Sequence, residues 1–221
     1  MNFVGKVLKK IKMQDLLRFN FKQKYLIIDT ETEGLNLINS RPWQASWITA
    51  QGKQIYSKND RFIFWNDLKV SEGAAKITGF NQQTYSSKAE SPIKVLEDLW
   101  NLISNPDYLI IGQNILGFDV YVLNCWRKIC GYKTDYSYLD RVIDTRAIAM
   151  AISLGHKEIQ KGHAPTQYRF INHRDKKIKT SQLSLLKKYN IEFDQFKLHD
   201  ALYDIEMTFK IFWQQIQEID I

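Results

Sequence analysis

The stretch Tyr25-Leu26-Ile27-Ile28-Asp29-Thr30-Glu31 ends an apolar, β-prone run on two acids. Charge before it and Gly34 after it bound the run, which predicts a buried strand. Side chains alternate faces along a strand, so Asp29 and Glu31, two residues apart, project together. One strand thereby presents two hard oxygen ligands of the kind that magnesium takes alongside water and substrate phosphate. By itself, Asp-x-Glu after an apolar run is a weak signal. Its meaning depends on what the rest of the chain brings to it.

Working outward, strands are expected over residues 43–50 and 54–65, joined by a turn at Gln51-Gly52, and with the first strand they make an antiparallel meander. Ser91-Pro92 opens a helix with Ile93, Leu96, Leu99 and Leu102 along one face, Pro sitting at a favoured first-turn position. Residues 108–112 read as a second apolar strand. Helical periodicity follows over 118–129, through Val122, Leu123 and Trp126, and over 142–154, through Ile143, Ala147, Met150 and Ala151. Between 155 and 180 it stops. There, 168–171 and 176–179 flank Asn172-His173-Arg174-Asp175 in a way that suits a small exposed β-hairpin. Helical patterning resumes at 181–189 and 200–216. This order argues for an α/β layer built on a mixed sheet.

The 221 residues suffice for one compact domain with additions. The net charge of +7 is unevenly placed: residues 1–24 carry +6, residues 157–188 carry +7, and the remainder carries −6. An acidic body with two basic appendages suits an enzyme that holds cations at its centre and gathers a polyanion at its edges. In the first appendage, Phe3, Val4, Val7, Leu8 and Ile11 recur at helical spacing among Lys6, Lys9, Lys10 and Lys12, which predicts a basic amphipathic helix. No apolar stretch is long enough to span a bilayer. Cys125 and Cys130 are too few for a disulfide framework and fit two thiols in a reducing compartment, the cytoplasm. Their spacing relative to His156 and His163 matches no zinc pattern.

Three further features give Asp29 and Glu31 their context. Asp119 stands at the start of the 118–129 helix, after Gly112-Gln113-Asn114. Alone it reads as a helix cap. His199 precedes Asp204 by five residues at the start of the last helix. A lone histidine is usually a satisfied surface or core group, and its co-occurrence with four acids is what singles it out.

Taken together, Asp29-Thr30-Glu31, then Asn114 ahead of Phe118-Asp119, then His199-Asp200-Ala201-Leu202-Tyr203-Asp204 resemble the three motifs of the DEDDh exonucleases, 3′–5′ exonucleases of the ribonuclease H-like fold that include the proofreading subunits of bacterial replicative polymerases. The resemblance extends over roughly residues 25–212 and includes Ile77-Thr78-Gly79-Phe80 and Val142-Ile143-Asp144-Thr145. His199 at minus five selects the histidine type of the family, since Asp200 stands where the tyrosine type has its base. Asn114 lies five residues before Asp119, where many proofreading subunits have four, and 155–180 looks like a basic insertion.

The resemblance implies a ribonuclease H-like mixed β-sheet flanked by helices, with a basic helical extension at 1–24, an exonuclease domain at 25–221 and the basic β-hairpin at 155–180 inserted in it. It implies two Mg²⁺ ions, replaceable by Mn²⁺, held by Asp29, Glu31, Asp119 and Asp204, with His199 as general base. Thr32 and Leu35 would hold the terminal nucleotide and Phe118 would pack near the last base, while core packing remains the other reading of Leu35 and Phe118. Lys176, Lys177 and Lys179 are the expected phosphate contacts on the insertion. The expected activity is 3′–5′ hydrolysis of DNA from single-stranded or frayed ends, alone or beside a polymerase or other replication or repair protein. The alternatives are an exoribonuclease trimming RNA ends and a non-catalytic nucleic-acid-binding protein.

Overall fold

The apolar run around Ile27 becomes β1 (Lys24–Thr32), the middle strand of a five-stranded sheet. The structure is a computed structural model that describes residues 16–38, 40–160, 162–198 and 200–221. Four consecutive β1 residues from Tyr25 onward are buried, as a strand covered on both faces requires. β2 (Pro42–Gln51) lies antiparallel to β1, and β3 (Gln54–Phe62) antiparallel to β2. On the other side, β4 (Tyr108–Gly112) and β5 (Val142–Asp144) run parallel, giving the order β3-β2-β1-β4-β5. The β2–β3 turn is Gly52-Lys53. Gly52 has φ +54°, and a Cβ there would lie 2.7 Å from the Phe21 carbonyl oxygen, so only glycine fits.

The helices are α1 (Glu72–Thr78), α2 (Gln82–Lys88), α3 (Pro92–Ser104), α4 (Asp119–Ile129), α5 (Thr145–Ser153), α6 (Ala164–Ile171), α7 (Gln182–Lys188) and α8 (Ala201–Glu218). α8 covers the sheet face to which Tyr25 points: the Tyr25 ring meets Phe212, Phe209 and Trp213 with centroids 5.3, 5.9 and 6.1 Å away. α3 buries Val95, Leu96, Leu99 and Ile103, a stripe rotated from the expected one, so that Ile93 is exposed. The N–H of Leu17 donates to the Ile221 carbonyl at 3.1 Å and Phe21 stacks on Trp213, joining the described start of the chain to its end. The expected amphipathic helix falls within residues 1–15, outside the described residues. Of the 1–24 extension, Leu17–Phe19 forms a 3-10 turn and Lys24 already belongs to β1.

Two expectations are corrected. Residues 142–144 form β5 rather than the first turn of a helix, because Asp144 ends the strand and caps α5, its carboxylate accepting from the N–H groups of Arg146 and Ala147 at 2.9 and 3.2 Å. The hairpin expected within 155–180 is a helix, α6, followed by an irregular stretch. The reason lies in Gln167, which is buried against the open edge of β5. Its Oε1 accepts from the N–H of Asp144 at 2.7 Å and its Nε2 donates to the Val142 carbonyl at 2.8 Å. One side-chain amide thus does for that edge what another strand would. His163 supports the helix start, its Nδ1 accepting from the N–H of Thr166 at 3.3 Å. α1 and α2, which periodicity did not single out, are short helices capped by the side chains of Ser71 and Asn81.

Candidate active site

The site is built where β1 outruns β4. Pairing between the two strands ends at Ile27 and Ile111, so further along β1 no strand partner remains on that side. Asp119 takes the place of one. Its Oδ1 accepts from the N–H of Thr30 at 3.0 Å and from the Thr30 hydroxyl at 2.7 Å. This fixes the first acid of α4 beside the strand end that carries Asp29 and Glu31. Alternation places Thr30 and Thr32 inward, both buried, while Asp29 and Glu31 are half-buried on the opposite face. Asp204 arrives from the first turn of α8, which Asp200 caps by accepting from the N–H of Tyr203 at 2.9 Å. Gln182 of α7 holds the same turn, donating to the Asp204 carbonyl at 2.7 Å. The Tyr203 hydroxyl accepts from the N–H of Asp194 at 2.6 Å. His199 lies outside the described residues.

The loop delivering Asp119 is held by a residue to which sequence reasoning assigned no role. Asp144 is fully buried at the end of β5, and its carboxylate accepts from the N–H groups of Asn114 and Leu116 at 3.1 and 3.0 Å besides capping α5. Burial pushes its carboxyl up to about 6 despite these four amides. Asn114 is left-handed, with φ 60°, and its side-chain oxygen accepts from Arg146 at 2.8 Å. It serves the loop from within. Replacing Asp144 with Asn would set an NH₂ group against one of these amides and is expected to cost about 1–3 kcal/mol, read as a lowered denaturation midpoint.

The acids act on one another. Burial, then the charge of Asp204, pushes Asp29 up to about 7. Burial and the charges of Asp29, Asp204 and Asp119 push Glu31 up to about 9, while burial and Asp29 raise Asp119 well above the carboxylate range. Asp29 therefore lies in the field of Asp204, Asp119 in that of Asp29, and Glu31 in the fields of all three. Among the described residues, no group of three or more Asp, Glu, His or Cys side chains is placed so that it could hold a metal ion as it stands. A set of hard oxygen donors that resist ionising together fits a divalent cation, whose charge would offset the repulsion. Cys125 and Cys130 are free thiols raised by burial. His156 packs on Phe170 and His163 caps α6, so the two histidines have other work.

The carboxyl shifts have a consequence for stability. A carboxyl whose folded pKa exceeds its unfolded one stabilises the fold below the unfolded value, and that contribution is lost as pH rises through the folded value. For Asp29 and Glu31 the window runs from about 4 up to about 9. Across it, the melting temperature of chelator-treated protein is expected to fall more than that of Glu31→Gln, and added Mg²⁺ is expected to raise it most at the alkaline end.

Beside Glu31 lies a cavity of about 390 Å³ lined by Thr32, Leu35 and Phe118 together with Ser71, Ala74 and Thr78. The three residues expected at the terminal nucleotide thus meet at one place. Leu35 is 87% exposed and Phe118 half-buried, so Leu35 is not core, whereas Trp43 and Trp47 are buried and Phe80 packs on Trp43. The α1 wall, with Ser71, Ala74 and Thr78, was not read as a helix, although the Ser71 cap and Gly79, left-handed with φ 68° just past its end, were its sequence signals. Glu33 fastens the rim, its carboxylate accepting from Arg41 Nη2 at 2.5 Å and from the N–H of Lys69 at 3.1 Å. Lys176, Lys177 and Lys179 are exposed on the irregular stretch after α6. Gln113, next to the end of β4, anchors that stretch by donating to the Thr180 carbonyl at 2.8 Å.

A mixed five-stranded sheet flanked by helices, with acids gathered at the end of its central strand, is the ribonuclease H-like exonuclease fold. The chain belongs to the RNase T exonuclease family, whose sequence model matches residues 26–212. Among solved structures it is similar to Escherichia coli exonuclease I. The zinc-bound form in complex with single-stranded DNA is 20% identical with a TM-score of 0.69, and 87% of this chain matches 40% of that one. The complex with a dA16 oligonucleotide is 19% identical with a TM-score of 0.71, covering 89% and 41% of the two chains. The complex with a dT13 oligonucleotide is 20% identical with a TM-score of 0.68, again covering 89% and 41%. The chain therefore spans about 40% of the length of these exonuclease I chains. No curated protein sequence matches it. Among the described residues, no helix is long and apolar enough to cross a membrane.

Proposed function

We propose that this chain hydrolyses nucleotides from the 3′ end of single-stranded or frayed DNA. The observation that carries the reading is the fastening of Asp119 of α4 by Thr30 of β1, which sets an acid from a second element beside Asp29 and Glu31, Glu31 itself lining the cavity. Asp29, Glu31, Asp119 and Asp204 are the residues that would hold divalent ions, Mg²⁺ or in its place Mn²⁺. Bound there, such ions make the attacking water more acidic and offset charge on the leaving 3′ oxygen. His199 takes the proton from the attacking water, an imidazole being suited to this near neutral pH. Thr32, Leu35 and Phe118 receive the terminal nucleotide, whose unpaired base stacks on apolar and aromatic surface.

DNA is preferred to RNA in this reading because the exonuclease I structures of the same fold carry DNA oligonucleotides. The test compares 3′-tailed, blunt and mismatched DNA duplexes with an RNA strand of the same sequence. Faster hydrolysis of the DNA tail and the mismatch is expected; faster hydrolysis of RNA would turn the reading to an exoribonuclease. Lys176, Lys177 and Lys179 stand outside the cavity, where they would meet backbone phosphates. Replacing all three with Ala should reduce the salt slope of single-strand binding by about 0.7 for each phosphate no longer neutralised, measured by anisotropy at several ionic strengths.

A further inference from the structure

Along α4, Tyr121, Cys125 and Lys128 fall at helical spacing on one face, away from the buried Val120 and Leu123. That face walls a groove of about 490 Å³, closed on the other side by Leu37, Ile38 and Tyr136. The Cys125 thiol donates to the Ile38 carbonyl at 3.1 Å, tying the loop after β1 to the helix across the groove floor. Its surface is unusual for one facing water: Ile38 is 80%, Tyr136 46% and Tyr121 37% exposed. The Tyr168 hydroxyl lies against that of Tyr121.

The groove and the cavity beside Glu31 share no lining residue, but the same two segments of the chain line both. That cavity ends on Leu35 and Phe118, and the groove begins two residues along the same loop at Leu37 and one helical turn along at Tyr121. At its far end the groove shares Lys128 and Thr134 with a hollow of about 520 Å³ that also holds Lys133. Among the described residues, neither Lys128 nor Lys133 forms an ion pair.

We propose that this groove binds the nucleotides immediately 5′ of the terminal one, with their bases on Tyr121 and Tyr136 and their phosphates toward Lys128 and Lys133. The assignment rests on the exonuclease reading for its starting point. Exposed rings alternating with unpaired cations are the arrangement that holds single strands without regard to sequence, and a strand whose end lies at Glu31 meets it next.

The test measures binding by anisotropy with chelator present, so that it does not depend on turnover, using a labelled deoxydinucleotide and a deoxyoctanucleotide. The wild-type chain is expected to bind the octanucleotide more tightly. Tyr121→Ala and Tyr136→Ala should each shrink that ratio by roughly five- to a hundredfold, as the loss of one base stack does. Tyr136→Phe should restore it, and Tyr56→Ala, an exposed ring on the sheet edge, should leave it alone. Ala variants that melt as the wild type does and keep the full ratio would overturn the groove, as would wild-type binding that does not strengthen with length. Failure of the exonuclease reading is separate: it would appear as intact strands after Mg²⁺ is added, whatever the binding ratio.

Discussion

Replacing Asp29 with Asn is expected to reduce hydrolysis of a single-stranded 3′ end by at least about a thousandfold, since Lewis-acid charge stabilisation worth several kcal/mol depends on this ligand. The same substitution should stabilise the metal-free protein. Burial and the charge of Asp29 keep Glu31 protonated up to about pH 9, and a neutral amide of the same shape removes the repulsive part of that effect. Turnover and melting temperature should therefore move in opposite directions, the mark of a group kept for chemistry at the cost of stability. Single-turnover assays and thermal melts above neutral pH read the two effects. Retained turnover would remove Asp29 from the centre of the site, and a lower melting temperature would contradict the electrostatic account of the acids.

Replacing His199 with Ala should lower turnover by roughly a hundredfold to ten-thousandfold, the usual worth of a positioned base. Binding of single strands in chelator should persist, because the substitution removes a proton acceptor and none of the residues assigned to strand contact. The loss should also change shape with pH. With a base titrating near neutrality, the wild-type rate rises through that range as the imidazole loses its proton, whereas the variant should lack that limb and recover partly at alkaline pH as hydroxide becomes abundant. A variant with the wild-type profile would mean that another group takes the proton.

Much of this arrangement was legible in the order of residues because its central piece is strongly patterned. The β1 run is too apolar to be anything but buried, and its two acids share a face by alternation alone. What escaped was held by single side chains rather than by pattern. β5 has three residues, and the helical periodicity that follows absorbed it; the Val-Ile pair before an Asp-Thr cap was the available sign. α6 was read as a hairpin because Asn172-His173-Arg174-Asp175 looks like a turn, while the deciding contact, Gln167 bonding the β5 edge, is a long-range one that no local spacing encodes. The candidate acids were singled out by their motifs, yet the residue that shapes the Asp119 loop, Asp144, looked like one more member of a motif. The α1 wall of the cavity was missed for the opposite reason: seven residues with little buried surface leave almost no hydrophobic period to read.

The central claim is that these acids cut the strand from its 3′ end with the help of divalent ions. The most direct measurement follows a single-stranded deoxyoligonucleotide labelled at its 5′ end over time, with Mg²⁺ and with chelator. A ladder of labelled products shortening one nucleotide at a time with Mg²⁺, and an intact strand with chelator, is the predicted result. Immediate release of the labelled 5′ nucleotide, or the same ladder in chelator, would contradict it.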